Sequence, residues 1–290
     1  MPHPVIVGVD DPQISSVTVD WAADEAHLRS LPLRLIRAPS WDTHHRPDDA
    51  AEQLILRSDE RMLQDLAARA AGRHRGLEVS CALAPEPARE ALVALGEQAA
   101  LLVLGSRGRG GFPELLTGST SLHVAAQADC PVVVVPGSPG RPGADGGSPG
   151  GVAVGVHGRR PCEGLLAFAF EAAQRYGVPL RVVHAWSYPP AVGPGHAFPP
   201  VYEAGHVASE ASRLMSEILA GWRQKFPDVQ VTEDIVRSGA AKHLVEVSST
   251  QQLMVVGRHG HPGNPVRRLG SVSQAVVHHT HCPIAVLPEN

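Results

Sequence analysis

The sequence predicts an α/β protein with two tandem doubly wound domains, each a five-stranded parallel sheet with helices on both faces. Apolar runs of strand length alternate with longer helical patterns, this alternation occurs twice, and a stretch rich in Gly, Pro and Ser separates the two copies. Strands that alternate with helices favour parallel sheets, because right-handed crossover connections place helices on both faces. The length of 290 residues suits about two domains.

Each strand is predicted from a short apolar run, and each helix from a longer stretch with apolar residues three and four positions apart. Unbroken apolar runs are typical of parallel strands that are buried on both faces. The predicted order in the first copy is strand 5–9, helix 14–30, strand 31–36, helix 49–72, strand 77–83, helix 87–99, strand 101–104, a short helix and strand 131–135. The matching order in the second copy is strand 152–156, helix 161–176, strand 178–183, helix 203–225, strand 229–236, helix 240–250, strand 253–256, a short helix and strand 283–287.

The stretch at 137–150 reads GSPGRPGADGGSPG and is predicted to be a flexible linker, because it has almost no apolar surface to bury. It divides the chain into a first domain, 1–136, and a second domain, 151–290. A repeat of this length indicates a duplicated domain rather than the short unit of a solenoid.

The same spaced glycine pattern follows the fourth strand of each domain. The two copies are Gly105-x-x-Gly108, nine residues, Gly118-Ser119, and Gly257-x-x-Gly260, nine residues, Gly270-Ser271. Glycine lets backbone amides approach a phosphate closely, and a helix N-terminus offers unpaired N–H groups and the positive end of the helix dipole. Two copies in register therefore predict a phosphate-binding loop in each domain. No Gly-Lys-Ser/Thr follows either loop, which excludes a Walker A motif, and a dinucleotide fingerprint would follow the first strand instead.

In doubly wound sheets, ligands bind beyond the carboxyl ends of the strands, where the strand order reverses. The first strand and the strand before the glycine loop are expected to be neighbours that flank this crevice. Asp10, directly after the first strand, is then expected to face the loop that begins at Gly105.

The chain resembles the universal stress protein family in its tandem two-domain form. The resemblance covers both domains, and it depends on the opening Val7-Gly8-Val9-Asp10, the two glycine patterns, and a closing apolar strand that begins with Cys-Pro in each domain. It implies an adenine nucleotide alpha hydrolase-like fold and the ATP-binding branch of the family. The bound nucleotide is expected to be ATP, with ADP and AMP as alternatives.

The resemblance also implies roles for the site residues. Asp10 would contact the ribose hydroxyls or a phosphate-bound Mg²⁺, and the backbone of Ala38 or Ala185 would meet the adenine. Serine hydroxyls would donate hydrogen bonds to the phosphate oxygens; these are Ser119, Ser121, Ser271 and Ser273. Arginine side chains would neutralise the phosphate charge; these are Arg107, Arg109, Arg258, Arg267 and Arg268. The nucleotide-binding residues expected in the first domain are Val9, Asp10, Asp11, Ala38, Leu104, Gly105, Arg107, Gly108, Gly118, Ser119, Thr120 and Ser121. Those expected in the second domain are Val156, His157, Gly158, Ala185, Val256, Gly257, His259, Gly260, Gly270, Ser271, Val272 and Ser273.

The two sites are expected to be alike but not equivalent. Position 157, which corresponds to Asp10, is a histidine, and imidazole is a poor ligand for Mg²⁺. The second site then binds ATP with metal, binds a less charged adenylate, or binds weakly. Asp11 stands where the second domain has Gly158, and Pro85 stands where it has Gly239.

Composition excludes several classes of protein. With 43% hydrophobic residues, 19% charged residues and a net charge of −4, the chain is neither disordered nor a basic nucleic-acid binder. It has no apolar run of about 20 residues that would span a membrane and no signal segment, so a cytoplasmic protein is expected. Its four cysteines and 16 histidines form no convincing metal motif, and no catalytic motif is present.

The expected function is that of a stress-response regulator whose nucleotide occupancy is read by an unknown protein partner. A slow ATPase or phosphotransferase and a dimerising scaffold without nucleotide are the alternatives. The apolar final strands, 131–135 and 283–287, need covering at the sheet edge. The two domains are expected to cover each other there, and a homodimer is expected in addition.

Overall fold

The computed structural model describes residues 2–38, 49–106, 117–137, 150–157, 162–186, 201–258 and 269–288. The strands in these ranges are β1 Val5–Val9, β2 Leu33–Arg37, β3 Val79–Leu83, β4 Leu101–Gly105, β5 Val132–Val135, β6 Gly151–Gly155, β7 Leu180–Trp186, β8 Val231–Arg237, β9 Gln251–Arg258 and β10 Ile284–Pro288. The helices are α1 Pro12–Arg29, α2 Asp49–Arg73, α3 Ala88–Gly96, α4 Ser119–Gln127, α5 Glu163–Tyr176, α6 Val201–Lys225, α7 Ala240–Ser248 and α8 Ser271–His279.

The ten strands form one continuous sheet in the order β3-β2-β1-β4-β5-β10-β9-β6-β7-β8. All pairs within each domain are parallel, which confirms the predicted five-stranded parallel sheets. The domains join where β5 and β10 pair antiparallel, with Val133 opposite Ala285. The prediction that the two final strands cover each other is therefore confirmed.

Each face of the sheet carries one apolar core that runs through both domains. One core lies under α1, α2, α5 and α6, and the other lies under α3, α4, α7 and α8. The central strands are buried on both faces, which explains their unbroken apolar sequences. In the second core, burial raises the pKa of Cys130 to about 11 and that of Cys282 to about 12, so both thiols are neutral packing groups at pH 7.

The long helix pairs on the first face are held together differently in the two domains. Between α1 and α2, Arg69 pairs with Asp20 through two hydrogen bonds of 2.7 and 2.5 Å, and Arg73 pairs with Asp24. Between α5 and α6, the rings of Phe170, Trp222 and Phe226 stack instead, with Phe170 centroids 5.6 and 5.3 Å from the other two. Ion pairs thus join the helices of the first domain, and stacked aromatic rings join those of the second.

Among the described residues, no helix combines the length and the apolar character that a membrane crossing requires.

Candidate functional site

The crevice lies where the strand order reverses, as predicted. In the first domain β1 is paired with β2 on one side and β4 on the other, and in the second domain β6 is paired with β7 and β9. Asp10 follows β1 directly and Gly105 ends β4, so both lie at the carboxyl edge of neighbouring strands. The sheet therefore brings the predicted residues of each domain to one edge.

The helix after each glycine loop is tied to the end of the strand before it. In the first domain the amide of Gly118 donates to the carbonyl of Ser106 at 2.6 Å, and the hydroxyl of Ser121 donates to the carbonyl of Gly105 at 2.7 Å. The hydroxyl of Ser273 donates to the carbonyl of Gly257 at the same distance. These bonds hold the N-termini of α4 and α8 against the crevice.

Both helices begin without a side-chain cap. Gly118 is the N-cap of α4 and Gly270 the N-cap of α8, and no side-chain oxygen in the described residues accepts from the first amides. The first amides of a helix have no partner inside it, and they carry the positive end of the helix dipole. Each helix start therefore offers donors that suit a phosphate oxygen.

The fold does not require a glycine at position 118. Its φ of −67° and ψ of 148° are open to any residue. A Cβ placed there would have the carbonyl oxygen of Ser106 as its nearest neighbour, at an ordinary 3.7 Å. Among the described residues, the missing side chain at Gly118 therefore eases no close contact. This arrangement fits an anionic group such as a nucleotide phosphate.

Asp10 is paired with an arginine that lies beneath the crevice. Nη1 of Arg37, at the end of β2, donates to Oδ1 of Asp10 at 2.6 Å and also to the carbonyl of Val9 at 3.4 Å. Nε of Arg37 lies 3.3 Å from Oδ2 of Asp59 in α2. The side chain of Arg37 is 3% exposed, whereas that of Asp10 is 44% exposed. A buried guanidinium thus joins two carboxylates, one of which faces the crevice.

The second domain has histidines at the matching places. Exposed His157 replaces Asp10, and His184 replaces Arg37, with its Nδ1 3.1 Å from the carbonyl of Val156. Asp59 is the eleventh residue of the 25-residue α2, and the eleventh residue of the 25-residue α6 is Ala211. The three charged positions of the first domain therefore have no charged carboxylate or guanidinium counterpart in the second.

A model of the family described as the universal stress protein family matches residues 1–136 and 151–288. The chain belongs to the universal stress protein family. It is similar to universal stress protein Rv2005c of Mycobacterium tuberculosis H37Rv, with 34% identity over 98% of this chain and 96% of that protein. It is also similar to universal stress protein Rv2623 of the same strain, with 33% identity over 99% of this chain and 96% of that protein.

The fold agrees with a solved member of the family. The crystal structure of a universal stress protein from Archaeoglobus fulgidus DSM 4304 aligns over 100% of both chains, with a TM-score of 0.66 and 16% sequence identity. At this identity the likeness shows the shared fold alone. A tandem pair of universal stress protein domains, each with five strands, is thus established for this chain.

Two serines that were expected to donate to phosphate have another role in this universal stress protein. Ser121 and Ser273 are buried, and the proton of each hydroxyl goes to a strand-end carbonyl. They fasten each helix start to the end of the preceding strand. The other hydroxyls at the helix starts, Ser119 and Ser271, are exposed.

Arg258 is also placed differently from the expectation that it neutralises phosphate. It is buried, and its Nη1 donates to the carbonyl of Ala128, directly after α4 of the first domain, at 2.7 Å. In return, the hydroxyl of Thr117, beside the N-cap of α4, donates to the carbonyl of Val277 in α8 at 2.9 Å. Each domain thus braces the other domain's helix, a contact that only the docked domains create.

Two strands continue further than the sequence indicates. The predicted strand 178–183 ends too early, because β7 continues to Trp186 and pairs with β8 as far as Arg237. Likewise β9 runs through Gly257 to Arg258, since β10 pairs alongside with Pro288 opposite Arg258. The first glycine and the next residue of the second pattern, Gly257 and Arg258, therefore belong to β9, whereas β4 ends at the first glycine of its pattern, Gly105.

The remaining expected residues are placed at the crevice as follows. The buried residues are Val9, Ala38, Leu104, Val156, Val256 and Gly257. The half-buried residues are Asp11, Gly105, Gly118, Thr120, Ala185 and Gly270, and Val272 is exposed. Several predictions fall outside the described residues, namely Arg107, Gly108, Arg109, Gly158, His259, Gly260, Arg267, Arg268 and linker residues 138–149.

Arg37 and Asp59 were missed from the sequence. The signal that was present is the position of Arg37, a charged residue that ends the otherwise largely apolar run Leu33–Ile36. Parallel strands are buried on both faces, so a charge at the carboxyl end of such a strand indicates a role at the site.

Proposed function

We propose that this universal stress protein binds an adenine nucleotide, ATP, ADP or AMP, at the carboxyl edge of the sheet in each domain. The observation that carries the proposal is a helix start at each site with a glycine N-cap in an ordinary extended conformation and no side-chain cap. At Gly118, the described neighbours also leave room for a side chain. Phosphate oxygens would accept hydrogen bonds from the first amides of α4 and α8. The ribose would lie against Asp10 or His157, and the adenine against the backbone at Ala38 or Ala185.

We further propose that nucleotide occupancy, rather than turnover, is the function. The carboxylate expected at the site of the first domain is Asp10, which already accepts a short hydrogen bond from Arg37. A carboxylate that is stabilised in this way is a poor general base, which disfavours a phosphotransfer role. Occupancy would instead set the position of α4 and α8, which are hydrogen-bonded across the domain boundary.

A homodimer remains a prediction, and it needs a surface other than the final strands. Both β5 and β10 have neighbours on each side within the chain. The open edges are those of β3 and β8, at the two ends of the sheet. A regulator that works by assembly would therefore use the helix faces or these outer edges.

Substitution of the two N-cap glycines tests the proposal. Gly118→Asp places a good N-cap carboxylate at the start of α4, where it stabilises the helix by about 0.5–1 kcal/mol and occupies the amides that phosphate would use. We expect higher thermal stability together with loss of nucleotide binding in the first domain, measured by calorimetric titration. Gly270→Asp is the matched change in the second domain, and each variant keeps the other site as an internal control.

Unchanged affinity and stoichiometry in both variants would leave the dimerising scaffold as the better account. Steady release of phosphate from ATP by the wild-type protein, abolished in Asp10→Asn with binding retained, would favour the enzyme instead.

A further inference from the structure

We propose that this protein binds its nucleotide without a divalent cation in either domain, and that Arg37 is the positioning residue that removes Asp10 from metal binding. The inference rests on the proposed nucleotide function and concerns the chemistry of the same sites. The family pattern implies that Asp10 contacts either the ribose hydroxyls or a phosphate-bound Mg²⁺, and the proposal favours the first. Among the residues that the structure describes, those around Asp10 do not fit such an ion.

The first step is the state of the Asp10 carboxylate. Its Oδ1 accepts a charge-assisted hydrogen bond of 2.6 Å from Nη1 of Arg37. Mg²⁺ is usually held by one or two carboxylates together with phosphate oxygens, at about 2.1 Å. A cation on Asp10 would therefore lie beside a guanidinium of the same charge, and this repulsion acts where Arg37 is shielded from water.

The second step is that Arg37 cannot swing away from Asp10. Its side chain is 3% exposed, and its Nε is 3.3 Å from Asp59, whose side chain is 9% exposed. In the part of the chain that the structure describes, neither Nε nor Nη2 of Arg37 has a hydrogen-bond acceptor, so the contact of Nε with Asp59 is electrostatic. Loss of Asp10 as a partner would leave a buried guanidinium that is still less compensated, so the ion pair is fixed by burial.

The third step is the second domain, where the acid is absent. His157 stands at the position of Asp10, and imidazole is not a ligand that Mg²⁺ prefers. The two domains thus lack a cation ligand for different reasons. In the first domain the aspartate is paired with an arginine, and in the second domain a histidine replaces the aspartate. In both, the helix-start amides carry the neutralisation of phosphate charge.

The test is a calorimetric titration of the full chain with ATP and with AMP, in excess MgCl₂ and in excess EDTA. We expect affinities that differ by less than about threefold between the two conditions, and binding at both sites. A loss of more than about tenfold in EDTA would overturn the inference. No binding in either condition would instead contradict the proposed function, so the two failures are distinguishable.

Two variants assign the effect to these residues. His157→Asp, made with Gly118→Asp so that only the second site is read, introduces a carboxylate that has His184 rather than an arginine nearby. The double variant Arg37→His with Asp59→Ala gives the first domain the second domain's residues at these two positions. Asp10 is then no longer paired with an arginine. At the altered site of each variant, we expect the affinity for ATP to be about tenfold higher in MgCl₂ than in EDTA.

A purely structural role for Arg37 would lower affinity equally in MgCl₂ and EDTA, and that result would overturn its assignment. Asp65→Asn, at an exposed position of α2 outside both sites, is the control in the wild-type background, and it is not expected to change the response to MgCl₂. If the double variant does not fold, His157→Asp still decides the matter, because the second domain contains no arginine at this position.

Discussion

The two domains share a fold and a helix start at the site, yet they differ at the end of the first two strands. The first domain has Asp10, Arg37 and Asp59 linked in one ionic group, whereas the second has His157, His184 and Ala211 at the same places. All three positions differ together. A buried arginine needs both carboxylates, and without the arginine a carboxylate at the place of Asp59 would be buried alone. The three residues are therefore best understood as one unit.

The long helix pairs teach a similar lesson. In the first domain, the small side chains of Ala23 and Ala70 lie in the core between α1 and α2. Ion pairs at the edge of this contact join the two helices. In the second domain, Phe170 and Trp222 take the places of these alanines and fill the contact with rings. The second pair is expected to be insensitive to salt and acid, whereas the first is expected to respond to both.

The largest effect is expected from Phe170→Ala, which gives the second domain the residue that the first domain has at Ala23. Phe170 is fully buried and contacts Trp222 and Phe226. Its removal should lower the free energy of unfolding by about 4 kcal/mol, because the neighbouring rings cannot collapse into the cavity. Urea unfolding measures the loss, which should be the same at low and high salt. A strong salt dependence would contradict the aromatic account of this contact.

The next effect is expected from Asp59→Ala, which leaves Arg37 buried with Asp10 as its partner carboxylate. We expect a loss of about 2 kcal/mol in the free energy of unfolding, because Arg37 keeps Asp10 but loses the other of its two carboxylates. Adding Arg37→His should recover most of this loss, since the pair then matches the second domain. Additive losses in the double variant would show that the three positions are not one unit.

A smaller effect is expected from Arg73→Ala at the rim between α1 and α2. The side chains of Arg73 and Asp24 are about one third exposed, so solvent screens the pair, and we expect a cost below about 1 kcal/mol. The cost should shrink further at high salt. Lys225→Ala at the matching place in α6 is the comparison. The ammonium of Lys225 lies over the rings of Trp222 and Phe226, 5.2 and 5.3 Å from their centroids, so its removal should cost a cation–π contact and not an ion pair.

The smallest effect is expected from acid. Burial raises the pKa of Asp24, but hydrogen bonds from Arg73 and His74 outweigh it, so this pKa lies below its ordinary value. A carboxyl whose pKa is lowered by folding stabilises the protein above its unfolded pKa of about 4, and this contribution is lost as the pH falls through the folded value. Hydrogen exchange should therefore rise in α1 and α2 before α5 and α6 below about pH 4. Asp24→Asn should remove the difference between the helix pairs.

Much of the fold could be predicted because its signals are local. Apolar runs gave the strands, repeated spacing gave the helices, and the Cys-Pro strands gave the contact between β5 and β10. The helix starts at Gly118 and Gly270 were also predictable, since glycine spacing is visible in the sequence.

The remaining features depend on the directions in which side chains point and on the way the two domains pack together. Neither can be predicted from a local stretch of sequence. The spacing showed hydroxyls near the helix starts but not that Ser121 turns back to Gly105. The pairing of Arg37 with Asp59 requires α2 to lie over the end of β2. The contacts of Thr117 and Arg258 exist only because the two domains form one sheet.

The most direct test of the account is to denature the purified full-length protein and identify what it releases. Mass and ultraviolet spectrum identify any nucleotide, its amount per chain gives the occupancy, and elemental analysis of the same sample gives the magnesium content. The account predicts adenine nucleotide at up to one molecule per domain without a matching amount of magnesium. No released nucleotide, together with no titratable binding of ATP or AMP, would contradict the nucleotide site itself. Nucleotide with equimolar magnesium would contradict the role assigned to Arg37.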